Sequence, residues 1–325
     1  MKKKIVLGIL LLGMLAAFTA CSSDDEDDTP KGDPAPVPEM ITGHYEENAE
    51  MMIPTYTYTL KKVHEVDGRQ GIAYYKNHYY VSDNKTLTVY DSSWKFLVTN
   101  ESPFDELGRG INHIGDIDVY NGEIYAGVEY FRSGDAKHIQ IAVYDADNLR
   151  FLRSYPIVPE SKMTEISGVT VDDDNNYIWV CSWADDDSGK YLYAYDLNTG
   201  EYIKKVQLLS PPRWIQGIAY DHGWIYISSD DGDADKGEPD HVYRCKVDPD
   251  ANYFQAVLER TIDDVEQAGE IEGISFDRNR DQMLISNNRG RQVVDGMVKG
   301  YYEGYDKEIH EIYLYGMTPN KKEKH

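Results

Sequence analysis

The chain contains 325 residues, and its 57 acidic against 33 basic side chains give a formal net charge of −24. An acid excess of this size excludes binding of nucleic acid or anionic lipid through the bulk electrostatic field, and it favours cationic ligands or divalent metals. The chain has only three cysteines, so no disulfide framework is expected. Cys181 and Cys245 lie within apolar strand patterns and are predicted to be buried thiols.

Residues 1–20 are predicted to form a signal peptide. Lys2, Lys3 and Lys4 precede an apolar run over 5–18, which has the length of a signal-peptide core and is too short to remain as a membrane span. The run ends in Phe-Thr-Ala followed by Cys21, which resembles the lipobox of bacterial lipoproteins. The resemblance implies that Cys21 carries a lipid, which would be the chain's only contact with the membrane. The alternative is an ordinary signal peptide followed by an incidental cysteine.

Residues 21–50 are predicted to be a tether rather than a domain. The five consecutive acids at 24–28 can bury nothing, and the prolines at 30, 34, 36 and 38 favour a stiff, extended chain. The acidic run resembles the export tag that sends lipoproteins of gut Gram-negative anaerobes to the outer leaflet of the outer membrane. We therefore expect a lipid-anchored outer-membrane protein that faces the cell exterior.

The remainder of the chain contains five copies of one strand pattern. Each copy opens with a glycine at the start of a short apolar strand, and three further strands follow. The opening glycines stand at 71, 115, 168, 217 and 273, so they are 44, 53, 49 and 56 residues apart. This spacing is typical of four-stranded propeller blades with loops of variable length. Glycine suits the innermost strand, where neighbouring backbones converge on the central channel.

The fifth copy lacks a fourth strand, and the strand pattern at 55–61, which precedes the first copy, can supply it. Pairing the two ends of the chain in one blade would close the ring and remove exposed edges. The sequence therefore predicts an all-β fold, a five-bladed β-propeller over residues 51–317, with a polar tail at 318–325.

One face of the predicted propeller carries the long loops. The loops between second and third strands, at 129–138, 183–190, 229–240 and 288–308, emerge on the same face as the connections between blades. Long loops on one face of a rigid ring are where function usually lies.

The residues just before each opening glycine are predicted to surround the mouth of the channel. They are Arg69 and Gln70, Asn112 and His113, Glu165 and Ser167, Trp214 and Gln216, and Glu270 and Glu272. Three glutamates that point at one axis repel each other unless a cation or a proton is present, and calcium would accept such oxygens. Glu165, Glu270 and Glu272 are therefore candidate calcium ligands. The alternative is that these groups hydrogen-bond to neighbouring blades and to channel waters.

Arginine and aromatic side chains on the same face are candidates for ligand binding. Guanidinium forks beside aromatic platforms suit a planar or anionic small molecule, although surface arginines can also simply screen an acidic shell. The sequence contains no zinc spacing, P-loop, dinucleotide fingerprint or Ser-His-Asp order. The candidates are Arg109, Arg132, Trp183, Arg213, Trp214, Arg289, Arg291, Tyr301 and Tyr302.

Two short segments resemble known five-bladed families. Gly-Arg109-Gly, followed by Asp116-Ile117, resembles a segment of the calcium-activated nucleotidases, as does Glu-Ile-Glu-Gly-Ile at 270–274. That resemblance implies one calcium ion on the propeller axis, hydrolysis of nucleoside diphosphates, and a phosphate-binding role for Arg109. The Glu-x-x-Gly openings at Glu165 and Glu270 are also similar to those of SdiA-regulated propellers, whose function is obscure.

Tag, tether and propeller together resemble surface lipoproteins of gut anaerobes that act as capture lids on TonB-dependent transporters. This resemblance implies capture of a small nutrient, such as cobalamin or an iron chelate, for a TonB-dependent outer-membrane transporter. The alternative is a calcium-dependent hydrolase of phosphoanhydrides or phosphoesters. A structural or glycan-adhesive propeller is the third possibility, and the sequence leaves open whether any reaction is catalysed.

Overall fold

The computed structural model describes residues 51–108, 110–132, 134–294 and 297–320, except for the side chain of Val294. The predicted signal peptide, the lipidation site Cys21, the tether at 21–50 and Arg109 lie outside these residues, as does most of the predicted tail. Within the described part of the chain, no helix is long and apolar enough to cross a membrane.

The described residues form five small sheets of antiparallel strands, which are the predicted blades. A strand β1 (Tyr56–Glu65) comes first. Blade one contains β2 (Ile72–Tyr75), β3 (His78–Ser82), β4 (Leu87–Asp91) and β5 (Phe96–Asn100). Blade two contains β6 (His113–Tyr120), β7 (Glu123–Arg132), β8 (Asp135–Asp145) and β9 (Phe151–Pro156).

The next two blades follow the same strand order. Blade three contains β10 (Gly168–Asp172), β11 (Tyr177–Cys181), β12 (Tyr191–Asp196) and β13 (Tyr202–Leu209). Blade four contains β14 (Ile215–Asp221), β15 (Trp224–Ser229), β16 (His241–Lys246) and β18 (Val257–Thr261), and the short strand β17 (Tyr253–Gln255) lies between β16 and β18 in the chain without joining this blade. Three short 3-10 helices lie in the loops, at Pro159–Ser161, Ser188–Lys190 and Ala234–Lys236.

Blade five closes the ring as predicted. It contains β19 (Gly269–Asp277), β20 (Gln282–Arg289), β23 (Ile309–Pro319) and, at its outer edge, β1. β1 pairs antiparallel with β23 from Tyr56 opposite Pro319 to Glu65 opposite Glu311. The prediction of a five-bladed, all-β propeller closed by an N-terminal strand is therefore confirmed. β23 continues to Pro319, beyond the boundary predicted at residue 317.

Apolar side chains between adjacent blades form the core. Ile117 of blade two packs with Tyr80 and Leu87 of blade one, and Trp179 of blade three packs with Ile218 of blade four. A strand that lies between two neighbouring blades buries side chains on both faces, so runs of consecutive residues such as Ile178 to Cys181 are buried. Cys181 and Cys245 are fully buried free thiols within this core, as predicted. Burial raises the pKa of Cys245 to about 12 and raises the pKa of Cys181 further.

The opening glycines lie where the inner strands meet. A Cβ atom added to Gly217 would lie 2.9 Å from the Cα atom of Gly273, and one added to Gly273 would lie 2.7 Å from the Cα atom of Gly71. Asp116, which is buried at this point, accepts hydrogen bonds from the backbone N–H groups of Ile72 (3.2 Å), Ile117 (2.9 Å) and Ile274 (3.3 Å). This carboxyl group therefore joins blades one, two and five at the centre of the ring.

Two predicted loops are wrong. The segment 129–138 is mostly strand, since β7 runs to Arg132 and β8 begins at Asp135. The segment 288–308 contains the end of β20 and a hairpin of β21 (Arg291–Val294) and β22 (Met297–Tyr301). In addition, β17 pairs in parallel with β13 and gives blade three a fifth strand. Such pairing covers an outer edge that would otherwise expose unpaired backbone groups.

Candidate functional site

A cavity of about 300 Å³ lies at the mouth of the channel, on the face that carries the long loops. Every residue of the predicted mouth ring lines it except Trp214. Those nine are Arg69, Gln70, Asn112, His113, Glu165, Ser167, Gln216, Glu270 and Glu272. The inner strands bring these side chains together because each begins at the same height in its blade, one or a few residues before the opening glycine.

A second ring of residues, of which the sequence analysis named only Trp183 as a site residue, stands beside the first. In blades three and four, the residues of the second strand that face the opening glycine are Cys181 and Ser228. The second ring consists of the residues that lie two positions further along the second strand of each blade. For blades one to five these are Asn84, Glu129, Trp183, Asp230 and Asn288. Asn84 and Trp183 line the cavity, whereas Glu129 and Asn288 are buried. These residues occupy equivalent positions in the five copies of the repeat, so aligning the copies could have identified the others.

One wall of the cavity is a network of arginines and glutamates. The guanidinium group of Arg69 lies 2.8 Å from Glu270, 3.4 Å from Glu272 and 3.2 Å from Glu308, and Arg291 lies 2.8 Å from Glu308. Burial alone would raise the pKa of Glu308. The neighbouring His310, Arg69 and Arg291 reverse this and lower the pKa to about 2. Glu308 is therefore a carboxylate that links both arginines at neutral pH.

Another wall holds two buried acids beside an imidazole. Glu165 accepts hydrogen bonds through Oε2 from the backbone N–H group of Trp183 (2.6 Å) and the hydroxyl group of Ser182 (3.0 Å). Glu129 accepts one from the backbone N–H group of Ile166 (3.0 Å), and its Oε1 atom lies 3.5 Å from Nδ1 of His113. These three side chains come from blades two and three, opposite each other across the inter-blade contact.

Burial controls the charge of this second wall. Desolvation raises the pKa of Glu129 to about 8, and desolvation together with the charge of Glu129 raises the pKa of Glu165 well above its usual range. Burial and the charge of Arg69 lower the pKa of His113 to about 4. Two neutral carboxyl groups and a neutral imidazole therefore face each other at pH 7.

Apolar and aromatic groups complete the cavity. Phe131 lies edge-on to Trp183, with ring centroids 6.4 Å apart, and is tilted against His113 at 5.4 Å. Val293 and Val298, from the hairpin of β21 and β22, also line the cavity. An apolar surface with a few convergent polar groups is the usual composition of a small-molecule site.

Of the nine predicted ligand-binding residues, two line the cavity, namely Trp183 and Arg291. Arg213 stacks on Trp214, with its guanidinium carbon 4.1 Å from the ring centroid, and pairs with Asp185. Arg289 makes two hydrogen bonds to Glu311, of 2.7 and 2.8 Å.

The remaining candidates lie elsewhere. Arg132 is exposed at the end of β7, Tyr301 is exposed at the end of β22, and Tyr302 follows it in a partly buried position. Arg109 lies outside the described residues.

The three predicted calcium ligands do not form one ligand set. Glu270 and Glu272 are paired with Arg69, which occupies the position where a cation was expected, and Glu165 lies on the other wall. Within the described ranges, no group of three or more His, Cys, Asp and Glu side chains has the arrangement of a metal site. Calcium therefore stays a prediction from the sequence.

Replacing Glu129 by glutamine is expected to change how stability depends on pH. Because the folded pKa of Glu129 is raised, the unfolded chain loses this proton first as the pH rises. The contribution of Glu129 to stability is therefore present below pH 4 to 5 and is lost as the pH approaches about 8. The free energy of unfolding, measured with urea between pH 5 and 8, should therefore decline as the pH rises. In Glu129→Gln the slope of this decline should be smaller than in the unchanged protein by roughly 1.4 kcal/mol per pH unit.

Glu160→Gln is the matched control for this experiment, because Glu160 is exposed on the connection between blades two and three. It should keep the slope of the unchanged protein. Equal slopes for Glu129→Gln and the unchanged protein would show that Glu129 is ionised in the folded state.

The fold and the cavity together define a five-bladed β-propeller with a ligand-sized site at its mouth. The sequence matches no protein-family model and no curated protein. Similar solved structures include a gluconolactonase from Xanthomonas campestris, at 12% identity and a TM-score of 0.43, over 82% of this chain and 95% of that one.

Two other solved structures align at similar levels. The hydrazine synthase of Kuenenia stuttgartiensis aligns at 10% identity and a TM-score of 0.42, over 82% of this chain and 70% of that chain. U3-55K aligns at 11% identity and a TM-score of 0.41, over 76% and 68%. At these identities the likeness concerns the fold alone, and no inference about function is drawn from it.

Proposed function

We propose that this protein captures a small molecule in the mouth cavity at the cell surface and passes it to a TonB-dependent outer-membrane transporter. The observation that carries the proposal is the cavity itself, in which aromatic side chains stand beside convergent amides, carboxyl groups and arginines. Its volume of about 300 Å³ lies at the lower end of the range typical of ligand pockets.

The volume limits the size of the captured molecule. A space of about 300 Å³ corresponds to roughly ten water molecules at ~30 Å³ each. A molecule of the size of an amino acid or a monosaccharide fits within it. Cobalamin or a large iron chelate would have to project from the mouth, so the smaller class of nutrient is favoured.

The predicted anchor supports the cell-surface part of the proposal. A lipid on Cys21 and a tether over 21–50 would let the propeller move a few tens of ångströms from the membrane. Confinement of this kind raises the effective concentration of the propeller over a transporter in the same membrane. Capture and transfer could then be efficient even if the contact between the two proteins is weak.

Trp183→Ala is expected to abolish retention of the captured molecule. The full-length lipoprotein would be incubated with the low-molecular-mass fraction of spent culture medium, dialysed, and analysed by mass spectrometry for molecules that stay bound. Trp183 lines the cavity and packs edge-on to Phe131, so its loss removes part of the apolar contact surface.

Trp214→Ala is the matched control, because Trp214 lies on the same face but stacks on Arg213 outside the cavity. It should retain the molecule as the unchanged protein does. If both variants, or neither, lose the bound molecule, the mouth cavity is not the capture site.

The calcium-dependent hydrolase receives less support from the geometry. Its expected metal ligands Glu270 and Glu272 are already paired with Arg69, and Glu165 is hydrogen-bonded on a separate wall. Capture is therefore the function that the arrangement of the mouth supports best.

A further inference from the structure

Several oxygen atoms at the mouth lack a hydrogen-bond donor. Glu165, which is 95% buried and lines the cavity, receives both of its hydrogen bonds at Oε2, so Oε1 has no donor among the described residues. Oδ1 of Asn84, Oε1 of Glu129 and Oδ1 of Asn288 are buried and likewise have no hydrogen bond in the described part of the chain, and the nearest donor to the Glu129 atom is Nδ1 of His113 at 3.5 Å. Buried polar atoms are nearly always satisfied, so these acceptors indicate a ligand that brings hydrogen-bond donors.

The charges around the cavity are also unbalanced. Three carboxyl groups line it, those of Glu165, Glu270 and Glu272, and those of Glu129 and Glu308 lie against the lining residues His113 and Arg69. The cationic side chains that line it are Arg69, Lys85 and Arg291. Arg69 and Arg291 are engaged with Glu270, Glu272 and Glu308, and His113, which lies 3.5 Å from Glu129, is neutral at pH 7, so the wall of Glu129 and Glu165 has no charged basic partner among the described residues. A cation is the natural complement of that wall once its carboxyl groups release their protons.

The aromatic side chains beside that wall favour an organic cation over a metal ion. Phe131 and Trp183 line the cavity together with Glu165, whose Oε2 atom accepts a hydrogen bond from the backbone N–H group of Trp183. Ammonium groups are attracted to the faces of tryptophan and phenylalanine rings, and this attraction strengthens when the site is desolvated. A metal ion would instead need several oxygen ligands at short range.

We propose that the mouth cavity binds an organic ammonium ion, with its N–H groups directed at Glu165 and its carbon chain against Phe131 and Trp183. The inference rests on the proposed capture function and names the chemical class of the captured molecule. At the opposite wall, the buried Nε atom of Arg291 has no acceptor among the described residues and can donate to a hydroxyl group of the same molecule. An amino alcohol of about the size of an amino acid satisfies both ends.

Binding of such a cation is linked to proton release. Glu129 and Glu165 are held neutral in the empty cavity, and an ammonium ion beside them favours the ionised form. The other titratable groups that face this pair, His113 and Cys181, are neutral at pH 7, and Arg69 remains charged. The affinity should therefore rise with pH up to about 8, and a proton should enter the buffer on binding.

The test compares three probes of one shape on the full-length lipoprotein in detergent micelles. They are 3-hydroxypropylammonium, its neutral isostere butan-1-ol, and the anion 3-hydroxypropanoate. Binding is measured by saturation-transfer NMR, with correction for micelle partition from protein-free samples, and by calorimetry in two buffers of different ionisation enthalpy. The ammonium probe should bind at least tenfold more tightly than the other two and should release a proton.

Glu165→Gln should weaken binding of the ammonium probe at least tenfold, whereas Glu160→Gln, an equal loss of charge at an exposed position, should leave it unchanged. Near-ultraviolet circular dichroism would verify that both variants keep the fold. The proposal is overturned if the alcohol or the anion binds as tightly, if Glu165→Gln binds normally, or if no probe binds. The proposed capture function would still stand after any of these three results if the unchanged protein retains a metabolite that Trp183→Ala loses.

Discussion

A Gly273→Ala variant is expected to lose about 3 kcal/mol of folding stability, measured as a shift of the urea midpoint at constant slope. The added Cβ atom would lie 2.7 Å from the Cα atom of Gly71 and would also overlap the carboxyl group of Asp116. Real Cβ atoms essentially never approach backbone atoms so closely, so the inner strands of blades one and five must separate. The hydrogen bond from the N–H group of Ile274 to Asp116 lies next to this position and would be strained as well.

The control for this prediction is Gly122→Ala. Gly122 has a φ of +84°, and nothing lies within 4 Å of its added Cβ atom, so the substitution causes backbone strain without overlap. That strain should cost only about 1 kcal/mol. If Gly273→Ala were no more destabilising than Gly122→Ala, the inner strands would not be packed backbone to backbone around the axis.

A Glu259→Ala variant is expected to lose about 3 to 5 kcal/mol, because it leaves a buried arginine without its counterion. Glu259 is 2% exposed and lies 3.1 Å from Arg244, which is equally buried. Glu259 also accepts hydrogen bonds from the N–H groups of Thr55 (3.0 Å) and Tyr56 (3.2 Å) and from the hydroxyl group of Tyr58 (2.7 Å). Loss of the carboxylate therefore releases the start of β1 from blade four.

Arg244 also donates to the carbonyl oxygens of Met51 (2.9 Å) and Ile53 (2.7 Å), so the same pair holds the chain just before β1 against blade four. Asp135→Ala is the control, since it breaks an exposed ion pair with Lys137 and should have little effect. A small loss in Glu259→Ala, matched by Asp135→Ala, would mean that water reaches the Arg244 site.

The fold could be predicted from the sequence because the repeat records it directly. Gly71, Gly217 and Gly273 mark positions where a side chain would overlap the next blade, so the spacing of glycines counts the blades. The closure of the ring by β1 could be predicted because the fifth copy of the repeat has only three strands, and a four-stranded blade needs a fourth strand. The hairpin of β21 and β22 and the parallel strand β17 were missed. The pairing of β17 joins segments of different blades, and no local pattern encodes such a contact.

The site could be predicted only in part. The position of the mouth ring follows from the repeat, because residues just before the inner strands must converge. Which side chains of the mouth ring form ion pairs does not follow from the repeat. Arg69 reaches Glu270 only because blade five closes against blade one. Glu129 was missed because residue 129 was predicted to begin a loop, whereas β7 continues to Arg132, and its neighbour Glu165 comes from the next blade.

The most direct test of capture and transfer is mild cross-linking of intact cells, followed by pull-down of the protein through its C-terminal end and identification of what accompanies it. We expect a TonB-dependent transporter in near-equal amount, and the substrate of that transporter should be the molecule that Trp183→Ala fails to retain. Recovery of abundant surface proteins alone, with no transporter enriched over a cross-linked control strain, would contradict the account.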